Sequence, residues 1–227
     1  MSTFIKGVLT ATILLGTCFG APVNITGIPC VGGANGCEGN GFFTGTLNYT
    51  DTDATHAQLV LSLTNSLSSA AGGFITNVAF NNPSNDITGV TYGTTLATFD
   101  TLMGGPTFDN SIDAAPLGSF DIGAGTSGVF NGGGSPNGGI ARGNSATLTF
   151  TLTGTGLDTL TTQSFVNTLD TSGTGFLYVR FRGFDNGGSD KVLASVVPTP
   201  EPRLLSLLLV LAAGVGYFAR KRSVASV

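Results

Sequence analysis

Ser145-Ala-Thr-Leu-Thr-Phe-Thr-Leu-Thr153 alternates small or apolar residues with hydroxyl-bearing ones without a break. Side chains of an extended chain point alternately to opposite sides, so Ala146, Leu148, Phe150 and Leu152 share one face and four threonines the other. That pattern belongs to a strand with one face in a core and one in water. A helix would scatter the same residues around its axis.

The same period of two recurs outward from this stretch. Ala57, Leu59, Leu61 and Leu63 share a face, and so do Phe74, Val78 and Phe80. Leu177, Val179 and Phe181 form another apolar row, with Tyr178, Arg180 and Arg182 opposite. Residues 191–197 read as a last strand. Gly, Asn, Asp and Ser punctuate these short runs, as turns require. The reading is an all-β domain built as an antiparallel sandwich or jelly roll. Only residues 160–169 read as a short helix, and the Gly- and Asn-rich stretch 118–143 reads as long loops around at most a short strand.

Composition agrees with a folded domain. Hydrophobic residues make up 41% of the 227, charged ones 10%, and there are 35 glycines and no tryptophan. Five of the nine Lys and Arg residues lie near the ends (Lys6, Arg203, Arg220, Lys221, Arg222), leaving residues 21–199 with four basic against twelve acidic groups. Such a domain repels phosphate backbones, so nucleic acid is not an expected partner.

The ends have a different character. Lys6, the apolar run 7–16 and the small residues that follow fit a secretory signal peptide over residues 1–20. A second reading makes Cys18 the acylated residue of a lipoprotein signal. At the other end Val197-Pro-Thr-Pro-Glu-Pro202 places proline at every second position, which favours an extended, polyproline-like strip. Residues 204–219 follow without a charge. As a helix these sixteen residues reach about 24 Å, short of a hydrocarbon core of about 30 Å. Their nine Leu, Val and Phe residues favour insertion by roughly 4 kcal/mol, and flanking arginines reach the interface. Arg220, Lys221 and Arg222 then hold the C-terminus in the cytoplasm.

Pro200-Glu201-Pro202, the short Leu-rich span and the Arg-Lys-Arg cluster together resemble the PEP-CTERM sorting signal of Gram-negative bacteria. The resemblance covers residues 198–222. Arg203 departs from the Ser or Thr that commonly follows the motif, and the tail beyond Arg222 is longer than in many members. The resemblance implies recognition of Pro200, Glu201 and Pro202 by an exosortase, which cleaves nearby and supplies the catalysis itself. It implies export through the Sec machinery, removal of the leader by signal peptidase, a single-pass intermediate in the inner membrane, and release to the cell surface or extracellular polysaccharide.

Cys30 and Cys37, six residues apart around Val-Gly-Gly-Ala-Asn-Gly, are expected to form a local disulfide in an exported chain. Phe184-Asp-Asn-Gly-Gly-Ser-Asp190-Lys191 reads as a hairpin turn. Its carboxylates, Asp185 and Asp190, also make it a candidate Ca²⁺ loop, although its spacing is not that of an EF-hand. Together with Arg180-Phe181-Arg182, this stretch resembles the last hairpin of several β-rich domains carried on PEP-CTERM proteins.

No catalytic constellation emerges. His56 is the single histidine, no Gly-x-Ser-x-Gly elbow is present, and Glu38 is the one glutamate of the domain. The expectation is a non-enzymatic surface or matrix protein with no cofactor. The alternative is an anchored module that binds or acts on carbohydrate.

Overall fold

The computed structural model describes residues 21–28, 38–67, 72–115, 117–132 and 135–198. Residues 1–20, read as a signal peptide, Cys18, Cys30, Cys37, Pro200–Pro202, read as a sorting motif, residues 204–219 and the cluster Arg220–Arg222 lie outside them. Among the described residues no helix is long and apolar enough to cross a membrane.

The domain is all-β and antiparallel, as its alternation predicts. Twelve strands occur among the described residues: β1 (Val23–Gly27), β2 (Phe43–Asp53), β3 (His56–Asn65), β4 (Gly72–Phe80), β5 (Ile87–Thr94), β6 (Thr101–Met103), β7 (Ile112–Asp113), β8 (Ser119–Phe120), β9 (Ile122–Gly125), β10 (Ser145–Gly154), β11 (Leu177–Phe184) and β12 (Ser189–Val196). One α-helix, α1 (Thr162–Asn167), falls inside the stretch read as helical. Ten strands form one sheet in the order β5-β10-β3-β2-β1-β12-β11-β4-β9-β6, and β7 pairs with β8 apart from it.

The sheet doubles over to give a sandwich-like body. Strand β12 makes the turn: Tyr178 to Arg182 of β11 pair with its first part, Leu193 back to Ser189, while Gly27 to Ile25 of β1 pair with its last part, Ala194 to Val196. One layer therefore runs from β5 to β1 and the other from β11 to β6. Aromatic rings fill the space between them. Phe150 of β10 meets Phe80 of β4 edge-on at 5.0 Å and Tyr92 of β5 at 5.0 Å. Helix α1 closes one end of this core, with Phe165 against Tyr49 at 5.3 Å and Phe80 at 6.1 Å. A reciprocal capping box between Thr161 and Ser164 starts this short helix. The described core residues lie between Ile25 and Ala194.

The two layers differ on their outer faces. On β10 the alternation holds: Ala146, Leu148, Phe150 and Leu152 are buried while Thr151 and Thr153 are exposed. On β11 the expected wet face is covered. Tyr178 and Arg180 are buried there, because Ile112, Ala114, Phe120 and Phe130 from residues 112–130 pack over that side in a second, smaller cluster with Ala79 and Met103. The stretch expected to be loops thus contributes β8, β9 and a cover for the sheet.

Candidate functional site

Strand directions sort the connections to two ends of the sandwich. The register of β1 with β12 brings residues 21–22 and 197–198 to one end, where the Val197 N–H donates to the Asn24 carbonyl at 2.8 Å. Residues 81–86, 104–115, 117–121 and 155–176 belong to the same end. A cleft of about 350 Å³ opens there between Pro22, Val23, Val196, Val197, Thr161 and Gln163. The connections 38–42, 66–67, 95–100, 126–132, 135–144 and 185–188 gather at the opposite end.

That opposite end is held together by polar side chains. Asp190 is fully buried, and its carboxylate accepts the backbone N–H groups of Glu38, Gly39 and Gly41, the Gly39 bond being 2.8 Å long. Asn186 donates from Nδ2 to the Glu38 carbonyl at 2.6 Å, and the Glu38 carboxylate accepts the Ser189 N–H at 2.9 Å. The hairpin turn and the segment 38–41 are therefore one unit. Glycine is needed at position 39, where a Cβ would lie 2.3 Å from the Phe184 ring. Asn65 bridges the carbonyls of Gly73 and Ile140 at 3.1 and 2.9 Å, and Arg142 Nε donates to the Leu67 carbonyl at 2.9 Å. Beside them lies a cleft of about 520 Å³ lined by small or uncharged residues, among them Leu96, Asn137, Ile140 and Asn144. It presents backbone and amide groups and no titratable side chain.

The cations of the domain are committed to its architecture. Arg180 Nη1 donates to the Phe130 carbonyl. Lys191 Nζ donates to the carbonyls of Ala114, at 3.1 Å, and Ala115. Both side chains thus pin the cover over β11. Burial, with Arg182 nearby, lowers the Arg180 guanidinium to about 10. Burial and Arg180 also lower Lys191, against the opposing pull of Asp113.

His56 is exposed beside the β2–β3 turn, its Nδ1 3.1 Å from Asp53 Oδ1 and 2.9 Å from Thr55 Oγ1. The hydroxyl and N–H of Thr55 both donate to Asp53 Oδ1 at 2.7 Å, and with His56 they lower this carboxyl to about 2. The hydroxyl therefore faces the carboxylate directly and is not relayed to it through the imidazole, so the trio lacks the nucleophile–base–acid order of a triad.

The two Ca²⁺ candidates are placed differently. Asp185 is exposed on the turn, whereas both Asp190 oxygens accept N–H groups. Among the described residues no three His, Cys, Asp or Glu side chains are grouped to hold a metal. The clamp on Asp190 escaped the sequence reading. Its one signal is the string Glu38-Gly-Asn-Gly41, glycine-rich enough to turn successive N–H groups onto one acceptor. Neither a protein-family model nor a curated protein matches the chain.

Proposed function

We propose that this chain is an exported, non-enzymatic protein of the cell surface or extracellular matrix of a Gram-negative bacterium, sorted by a PEP-CTERM tail that an exosortase recognises. In this reading a signal peptide over 1–20 and a membrane helix over 204–219 flank a sandwich of jelly-roll type. The single observation that supports it is the pairing of β1 with β12, which gives the leader and the tail a common exit from the domain. The domain then stands on one end. In this reading the proline-spaced strip 198–203, extended as its sequence predicts at about 3.1 Å per residue, spans roughly 19 Å between it and the bilayer. The glycine- and asparagine-rich connections of the other end face outward. Mass spectrometry of the native protein tests the proposal. The expected C-terminus lies near Pro200–Pro202, and a chain still ending at Val227 in cells that make exosortase overturns it.

A second reading, a carbohydrate-binding module on the same anchor, draws on the outer face of the first layer. The register aligns Ser145, Thr64, Thr44, Thr26 and Ser195 in a row across five strands, with Thr147, Ser62, Thr46 and Asn24 in the row beside it. These rows carry hydroxyl and amide groups about 4.8 Å apart and no charge. A glycan array probed with residues 21–197 decides this reading, and retention on no glycan ends it.

A further inference from the structure

We propose that the cleft between Leu96 and the segment 137–145 binds one saccharide unit of a neutral polysaccharide. The inference rests on the carbohydrate-binding reading above and places its site at the outward end of the sandwich.

Both walls of the cleft are held by the fold. In the segment 137–145, the Ile140 N–H donates to the Ile75 carbonyl at 2.8 Å, and the Ile140 carbonyl accepts the Ile75 N–H at 3.1 Å. A Cβ at Gly139 would lie 2.2 Å from the Ile75 carbonyl, so this wall is pressed against β4. The opposite wall carries Leu96, whose N–H donates to Thr94 Oγ1 at 3.1 Å and whose carbonyl accepts the Phe99 N–H at 2.8 Å. The Thr98 hydroxyl donates to the Gly138 carbonyl at 2.7 Å and ties the two walls together. The enclosed volume of about 520 Å³ suits a small-molecule site. Walls already fixed in place lose little further freedom when a ligand enters.

The lining has the chemistry of a sugar site. Asn137 and Asn144 are exposed, and their carboxamides have no hydrogen-bond partner among the described residues. Asn65 and Asn186, at the same end, donate theirs to carbonyls of the chain. The backbone of Asn144 is nonetheless fixed, its N–H donating to the Ala141 carbonyl and its carbonyl accepting the Asn65 N–H, both at 3.0 Å. A carboxamide offers a donor and an acceptor side by side, and a sugar hydroxyl is likewise both. Leu96 and Ile140 supply an apolar wall for the C–H face of the ring. Arg142 lies between two lining residues, but its Nε turns away to the Leu67 carbonyl. With no titratable side chain in the lining, the cleft selects a neutral sugar over an anionic one. Peptide grooves use aromatic rings or an open strand edge, whereas this lining has no aromatic ring and its strand, β10, is paired on both sides. The cleft meets the outer face at Ser145, whose Oγ lies 2.7 Å from Thr64 Oγ1 in the hydroxyl row. A polysaccharide held by one unit in the cleft continues over that row.

One unit held by two amides binds weakly, so the test presents many copies on a surface. The full chain, kept in a detergent without a sugar headgroup, is probed on an array of immobilised neutral and anionic glycans. The expected result is retention on neutral glycans that falls at least about tenfold when Asn137→Ala is combined with Asn144→Ala. Both changes are on the surface, and the melting temperature is expected to stay near that of the parent. If the double variant does not fold, the isosteric Asn144→Asp, which removes a donor and adds a charge, decides in its place. Gln163→Ala, at the opposite end of the sandwich, is expected to bind like the parent. Retention that survives the cleft variants, or that occurs on anionic glycans alone, overturns the cleft as the site and leaves the carbohydrate-binding reading standing. Retention on no glycan ends that reading and this inference with it.

Discussion

Asp190 accepts the backbone N–H of Gly39 at 2.8 Å, across 151 positions of the chain. The same carboxylate takes the N–H groups of Glu38 and Gly41, so one side chain at the base of the last hairpin fixes the segment that leads into β2. Asp190→Ala leaves these donors without their acceptor, and each unsatisfied group costs about 1–3 kcal/mol. The expected loss is at least about 3 kcal/mol in urea unfolding, and Asp190→Asn, which keeps one oxygen, loses less.

Calcium should not act through this carboxylate. Both oxygens already receive N–H donors, which present the wrong polarity to a cation. Titrating Ca²⁺ into the domain is expected to leave its melting temperature unchanged. A rise that Asp190→Asn abolishes would show the opposite.

Two neighbours on β10 should respond very differently to truncation. Phe150 is fully buried between the layers against Phe80 and Tyr92, and Phe150→Ala is expected to cost about 3–5 kcal/mol. Thr149 lies on the wet face, and Thr149→Ala is expected to stay within about 0.5 kcal/mol. Equilibrium denaturation of both variants measures the contrast.

Alkali should unfold the domain through its tyrosines. Burial raises Tyr178 from 10.0 to about 12, helped by Asp170, and raises Tyr49 and Tyr92 further. In each case the folded pKa exceeds the unfolded one. Their contribution to stability is therefore complete below pH 10 and is lost as pH climbs from 10 through 12 and beyond. Tyrosinate absorbance of residues 21–198 is expected to rise together with the loss of β-sheet circular dichroism. A normal titration near pH 10 in the folded state would contradict this.

Strand β12 should be indispensable and the residues after it dispensable for folding. A chain ending at residue 198 keeps both ladders of β12 and is expected to melt cooperatively. One ending at residue 188 loses the strand that joins the layers, together with the Asp190 clamp, and is expected to remain unfolded by circular dichroism.

The sequence by itself determined the strands that face water on one side. In β10, leucine and threonine alternate because each residue answers only to its own face, a local rule that the chain displays directly. The same rule placed β3 and the core row of β11, and in β4 it found Val78 and Phe80 but put Phe74 where a bulge brings Ile75 to the core; α1 lies within the stretch 160–169 read as helical. Strand β2 carried a usable signal in Phe43, Leu47 and Tyr49, broken by Gly45, and β5 was hidden by Gly89 and Gly93. What only the tertiary structure decided is which segments meet. Tyr178 and Arg180 read as a wet face until residues 112–130 cover them, and Asp190 read as a turn or cation ligand until Glu38, Gly39 and Gly41 converge on it. The physical reason is the same in both cases. Burial and hydrogen bonding depend on partners from distant parts of the chain, and the period of a strand records its two faces without naming what will cover them.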